Sequence, residues 1–170
     1  TDFAKYKKRT SVSILNEVFQ SVVAQAGQKF MYSKVSNSAN HKQIKEALQL
    51  LITANIVIPI THTSANGIPL GAEANIQKQK LLLYDTGIFQ RIMGLNLEDF
   101  LLSANFEVIN KGNMAEQYVG LELIKSSSCY KPPALYYWHR EAKSSNAEVD
   151  YVIPFSQSVL PVEVKSGTKG

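Results

Sequence analysis

Cysteine is almost missing from this chain. Cys129 stands alone, so no disulfide can close within the sequence and no cysteine cage can hold zinc. One thiol predicts a reducing, intracellular setting, and the expected location is the cytoplasm. Histidine is nearly as scarce: His41, His62 and His139 are scattered without the close pair that a zinc site uses. Long apolar runs are lacking too. The longest, Ala47 to Ile60, is interrupted by Gln49, Thr53, Asn55 and Pro59 and is too short and too polar to span a bilayer. The opening Thr1-Asp2-Phe3-Ala4-Lys5 has no apolar stretch of the kind a signal peptide needs. It also has no initiator Met, which predicts a piece of a longer protein. No G-x-x-x-x-G-K-[ST] occurs: Ser166-Gly167-Thr168-Lys169-Gly170 has neither the spacing nor a following helix, so ATP binding is not assigned to these residues.

What the sequence does have is material for a core. Of 170 residues, 45% are hydrophobic and 19% charged, which excludes a disordered or charged-tail protein. A chain of this length buries roughly 70% of its unfolded surface and folds without disulfide staples. Lys plus Arg number 18 against 14 Asp plus Glu, a net charge of +4. That balance permits nucleic-acid binding without requiring it, because ordinary surface charge gives the same total.

Helical spacing of Val12, Leu15, Val18, Phe19, Val22 and Val23 predicts an amphipathic helix capped by Ser11 or Ser13. A short turn around Tyr32-Ser33-Lys34 precedes a second helix with Ile44, Ala47, Leu48, Leu51 and Ile52 on one face and Asn40 as its cap. Ile56 to Ile60 reads as a strand, Thr61 to Ala74 as a loop, and Lys80 to Tyr84 as a strand that closes it. Helix, short helix, helix and two-stranded wing is a winged-helix layout over residues 1–79. The helix from Asn40 to Ala54 would then sit in the recognition position. Its Lys42, Gln43 and Lys45 have the chemistry for DNA, Lys for phosphates and Gln for base edges. A solvated helix face, or one used for protein contacts, carries the same residues.

Asp85-Thr86-Gly87 opens a further helix with Ile88, Ile92 and Leu95 inward, followed by a helical turn or two over Leu97 to Leu102. A long helix runs through Met114, Tyr118, Leu121 and Ile124. Beyond Pro133 the period changes to two, giving strands at Leu135–His139, Glu148–Ile153 and Val159–Lys165. Tyr136, Tyr137 and Trp138 alternate faces on the first of these and are read as core packing rather than a base-stacking platform.

Chemistry concentrates in the last two strands. Alternation puts Glu148 and Asp150 on one face, with Val149, Tyr151 and Ile153 opposite, and places Glu163 with Lys165. A turn centred on Ser156-Gln157 pairs Asp150 with Glu163 and Glu148 with Lys165. Two carboxylates about 5 Å apart repel by roughly 3 kcal/mol at an effective dielectric near 20, so a cation is expected between them. Mg²⁺ suits Asp150 and Glu163, and Lys165 would orient water or stabilise phosphate charge. A solvated hairpin face with ordinary surface ion pairs produces the same pattern.

Asp150 followed by Glu163-Val164-Lys165 resembles the metal-binding signature of the PD-(D/E)XK nuclease superfamily. Tyr84-Asp85-Thr86-Gly87 with Gly94-Leu95, Gly112-Asn113-Met114-Ala115-Glu116 running on to Glu122-Leu123, Tyr136-Tyr137-Trp138, Glu148-Val149-Asp150 and Val162-Glu163-Val164-Lys165-Ser166 resemble one bacterial and archaeal family of AAA-type ATPases. In that family a P-loop domain precedes a C-terminal domain of unknown function, number 4143. The likeness is loose in the N-terminal third and most specific from Lys80 onward. It implies an α+β, or α/β, chain: a winged helix over 1–79, then a restriction-endonuclease-like helix and β-meander over 80–170, cut short at its C-terminus. It implies Glu116, Asp150, Glu163 and Lys165 as catalytic residues, with Mg²⁺ on Asp150 and Glu163, although a Glu near a helix N-terminus is also favoured by the dipole. ATP would bind only in an N-terminal domain outside these residues. The partners implied are DNA, that ATPase domain and a second copy of the chain. Two functions stay open, metal-dependent phosphodiester hydrolysis and a catalytically silent DNA- or protein-binding module.

Overall fold

The computed structural model describes residues 10–94, 111–141 and 146–166. Helix α1 (Val12–Ala24) starts where Ser11 Oγ accepts the Ser13 N–H, and it buries Val18, Val22 and Val23. Helix α2 (His41–Thr53) starts at a capping box: Asn40 Oδ1 accepts the Gln43 N–H while Gln43 Oε1 accepts the Asn40 N–H, each at 3.0 Å. Ile44, Ala47, Leu48 and Leu51 form its inner stripe.

Strands β1 (Val57–Thr63) and β2 (Ala74–Leu83) pair antiparallel with a register shift between Thr61 and His62. Both run further than residue pattern predicted, and the expected loop from Thr61 to Ala74 loses its two ends to the ladder. The added strand residues are mostly polar and only Thr63 among them is buried, so no apolar alternation marks them; Thr63 is satisfied locally by donating to the Leu70 carbonyl at 2.9 Å.

Helix α3 (Thr86–Ile92) is capped by Asp85, whose Oδ1 accepts the Ile88 N–H at 2.8 Å. That cap sets the helical phase so that Phe89 enters the core while Ile88 is half exposed, reversing the inward placement expected for Ile88. Leu95 and the turn expected over Leu97 to Leu102 lie outside the described residues. Helix α4 (Lys111–Lys125) leads to β3 (Leu135–Glu141), β4 (Asn146–Phe155) and β5 (Ser158–Val162).

The five strands among the described residues form one mixed sheet in the order β2-β1-β3-β4-β5. Neighbours are antiparallel except β1 and β3, which run parallel with Ile60 beside Leu135. The hairpin expected as a wing is therefore part of the same sheet as the meander, and the boundary drawn at residue 79 falls inside β2. Strand alternation gives this sheet two apolar faces. Val57, Leu81 and Leu83 meet α1, α2 and Phe89 on one side. Ile58, Ile60, Leu82, Leu135, Tyr137 and Tyr151 meet Leu121 of α4 on the other. The architecture is mixed α/β, a sheet between helices, and no helix among the described residues is long and apolar enough to cross a membrane.

Candidate functional site: a buried lysine among three carboxylates

Helix α4 is pinned to the sheet edge by Gln117. Its Oε1 accepts the Leu83 N–H at 3.0 Å and its Nε2 donates to the Leu83 carbonyl, covering backbone groups that edge strand β2 would otherwise leave open. Close approach depends on Gly120: a Cβ there would lie 2.5 Å from Tyr151 Oη and 2.7 Å from Leu82 Cδ1. Tyr151 Oη donates to the Glu116 carbonyl at 2.6 Å, which fixes the first turns of α4 over the sheet. Glu116 is thereby held above β2.

The acidic side chains of β4 reach the same face through a β-bulge. Tyr136 pairs with Val152 and Trp138 with Val149, so Asp150 and Tyr151 together stand opposite Tyr137. Tyr151 packs in the cluster of Tyr137, Leu82 and Leu121, and Ile153 packs against that cluster. Asp150 reaches the Lys80 ammonium, which lies 5.4 Å from the centroid of the Tyr137 ring. Both bulge side chains therefore leave the sheet on one side. Strict alternation, which put Tyr151 and Ile153 opposite Asp150, does not hold across the bulge.

Lys80 is the centre of the site. It shares the inward parity of Leu82 on β2, and its side chain is 3% exposed. Its Nζ lies 3.6 Å from Glu116 Oε2 and 3.9 Å from Asp150 Oδ1 and is in direct contact with Glu148 Oε1. A buried ammonium is costly unless it is paired, and here three carboxylates share it. Burial pushes the Glu116 carboxyl up to about 7; Lys80 opposes that rise, and Asp150 and Glu148 add to it. The Tyr151 hydroxyl is held far above its ordinary value, first by burial and then by Glu116 and Asp150.

Of the expected quartet, Glu116 and Asp150 meet around Lys80. Glu163 and Lys165 are placed differently. The β4–β5 register follows from a turn at Ser156-Gln157, with Tyr151 beside Val162 and Phe155 beside Ser158, but the ladder ends at Val162. Asp150 Oδ2 then accepts the Val164 N–H at 2.8 Å. Val162 and Val164 turn to the apolar cluster, leaving Glu163 and Lys165 exposed and bonded to each other at 2.6 Å. Glu163 holds the Lys165 ammonium above its usual range, with a smaller push from Asp150. The pairings expected from alternation, Asp150 with Glu163 and Glu148 with Lys165, are replaced by Asp150 with Val164 and Lys80, and by Glu148 with Lys80.

A Mg²⁺ ion bridging Asp150 and Glu163 would need oxygens of both directed at one point. Asp150 gives one oxygen to a backbone N–H and turns the other to Lys80, while Glu163 is bonded to Lys165. Among the described residues no group of three or more His, Cys, Asp or Glu side chains has an arrangement that holds a metal. The residues present do not fit the expected ion, because a cation of the chain itself stands where the carboxylates converge.

On α2, Lys42 and Lys45 are exposed together, away from the buried stripe. Gln43 is also exposed, but its side chain is engaged in the capping box.

Residues 111–170 match the family profile described as a domain of unknown function, DUF4143. No curated protein matches the chain. No solved structure matches it. A second profile, described as a domain of unknown function, DUF8612, matches residues 1–99, more than half of the sequence, and the chain belongs to that family.

Proposed function

We propose that this chain is a non-catalytic, DNA-binding module from the C-terminal region of an AAA-type ATPase. The observation that carries the reading is Lys80: the carboxylate cluster formed by α4 and β4 is filled by an ammonium that β2 supplies. A cluster occupied in this way serves to join β2, α4 and β4 rather than to hold a metal and a reacting phosphate. The AAA-type context is supported by the resemblance of the motifs from Tyr84 to Ser166 and by the profile match over residues 111–170. Contact with DNA is supported by the net charge of +4 and by Lys42 and Lys45 on the open side of α2. Gln43 contributes to that surface as the capping-box partner of Asn40, and phosphate contacts by the lysines give affinity without base readout.

Fluorescence anisotropy of a labelled DNA duplex, titrated with the full chain at several salt concentrations, tests this. Binding should weaken linearly on a log–log plot, and Lys42→Ala with Lys45→Ala should lower the slope by roughly 0.9 for each phosphate no longer neutralised. Intact binding with an unchanged slope would remove α2 as the DNA-facing surface. No binding to DNA at any salt concentration would leave a protein partner as the ligand of the module.

A further inference from the structure

We infer that Lys80 acts as a built-in substitute for a divalent cation, keeping metal out of the Glu116–Glu148–Asp150 cluster. Three carboxylates drawn from α4 and β4 converge on one point, and the group at that point is an ammonium almost wholly withdrawn from water. Its stem is fixed by β2 on one side and by the Tyr137 ring beside its head. Two of the acidic oxygens stand 3.6 and 3.9 Å away, beyond a metal–ligand bond. A divalent ion with ligand distances of about 2.1–2.6 Å would keep bound waters between itself and such carboxylates, or draw them inward. Three carboxylates around one ammonium leave an excess of negative charge when all are ionised, which a doubly charged ion offsets better than a single one. Only the lysine tether, which makes the interaction intramolecular, gives the ammonium its advantage. This inference rests on the site reading above but not on DNA binding, which the salt dependence tests separately.

The test is a set of thermal melts on the full chain, wild type and Lys80→Met, with and without Mn²⁺, and with circular dichroism to report folding. Wild type should show no shift with Mn²⁺. Lys80→Met should melt lower without metal, because the carboxylates lose their counter-ion. Mn²⁺ should then raise its midpoint by about 5–10 °C at a hundredfold excess over the dissociation constant. Adding Glu116→Gln to Lys80→Met should reduce that shift. Where Lys80→Met is unfolded without metal, recovery of its helical signal with Mn²⁺ supports the same conclusion. The variant Lys80→Met with Glu148→Gln, which relieves part of the repulsion, provides a second folded background. A wild-type shift as large as the variant's would overturn the inference. So would folded variants that ignore Mn²⁺, or variants that remain unfolded in its presence.

Discussion

Glu116 carries the most readable charge in the molecule. Its folded-state carboxyl sits at about 7, above the ordinary 4.5, so the fold prefers its protonated form. A group raised in this way contributes stability that is complete below the unfolded value and is lost as pH rises through the folded one. Between pH 5 and pH 8 the wild type should lose stability by up to about 2 kcal/mol from this residue, allowing for the water that reaches its outer edge. Glu116→Gln should flatten that stretch, with Glu148 and Asp150 left to hold Lys80. Urea midpoints at pH 5, 6, 7 and 8 for both proteins check it, and parallel profiles would contradict it. Glu116 and Asp150 stood out as candidates in the sequence because the segments around them resemble those of a known family. Lys80 was not, since a single lysine opening a Lys-Leu-Leu-Leu strand has no motif. Its parity with Leu82 was the available signal, and using it required knowing that Leu82 faced α4. The pairing of Asp150 with Glu163 failed as an expectation for a different reason. The register of β4 with β5 is the expected one, but that ladder ends at Val162, one residue short of Glu163.

At the scale of elements, the starts of α2 and α1 were fixed locally, by Asn40 and Ser11, and local signals are what a sequence shows well. The extensions of β1 and β2 were hidden because Asn75, Ile76 and Gln77 are exposed whatever their polarity. Helix α4 has little amphipathic pattern along its length: Gln117 is buried and Tyr118 exposed, an inversion that makes sense only once Gln117 is seen bonding the edge of β2. Its docking supplies a test through Gly120. Alanine there gains about 1 kcal/mol of helix propensity. The new methyl would meet Tyr151 Oη and Leu82 Cδ1, both on buried residues, and overpacking of that kind costs about 1–3 kcal/mol. Because both neighbours are buried and would have to shift, Gly120→Ala should be destabilising overall. Chemical denaturation measures the difference, and a variant more stable than wild type would mean that α4 stands further from the sheet than described.

Across the whole molecule, the two profile matches divide the sequence near residues 99 and 111, but the sheet does not divide there. Parallel pairing of β1 with β3 joins the halves through the backbone, and Lys80 joins them through charge. The class of fold was legible from the change of periodicity after Pro133; the continuity of the sheet was not, because a pairing between residues 60 and 135 leaves no local trace. A carboxylate cluster occupied by Lys80 should leave a molecule that binds DNA without cutting it. Incubating the full chain with an end-labelled DNA duplex in Mg²⁺ or Mn²⁺, and reading binding and cleavage from the same sample, tests both halves of that statement at once. A retarded complex that dissolves with salt is expected, with no metal-dependent product above the level of Asp150→Ala. Cleavage that requires the divalent ion and disappears in Asp150→Ala would contradict it.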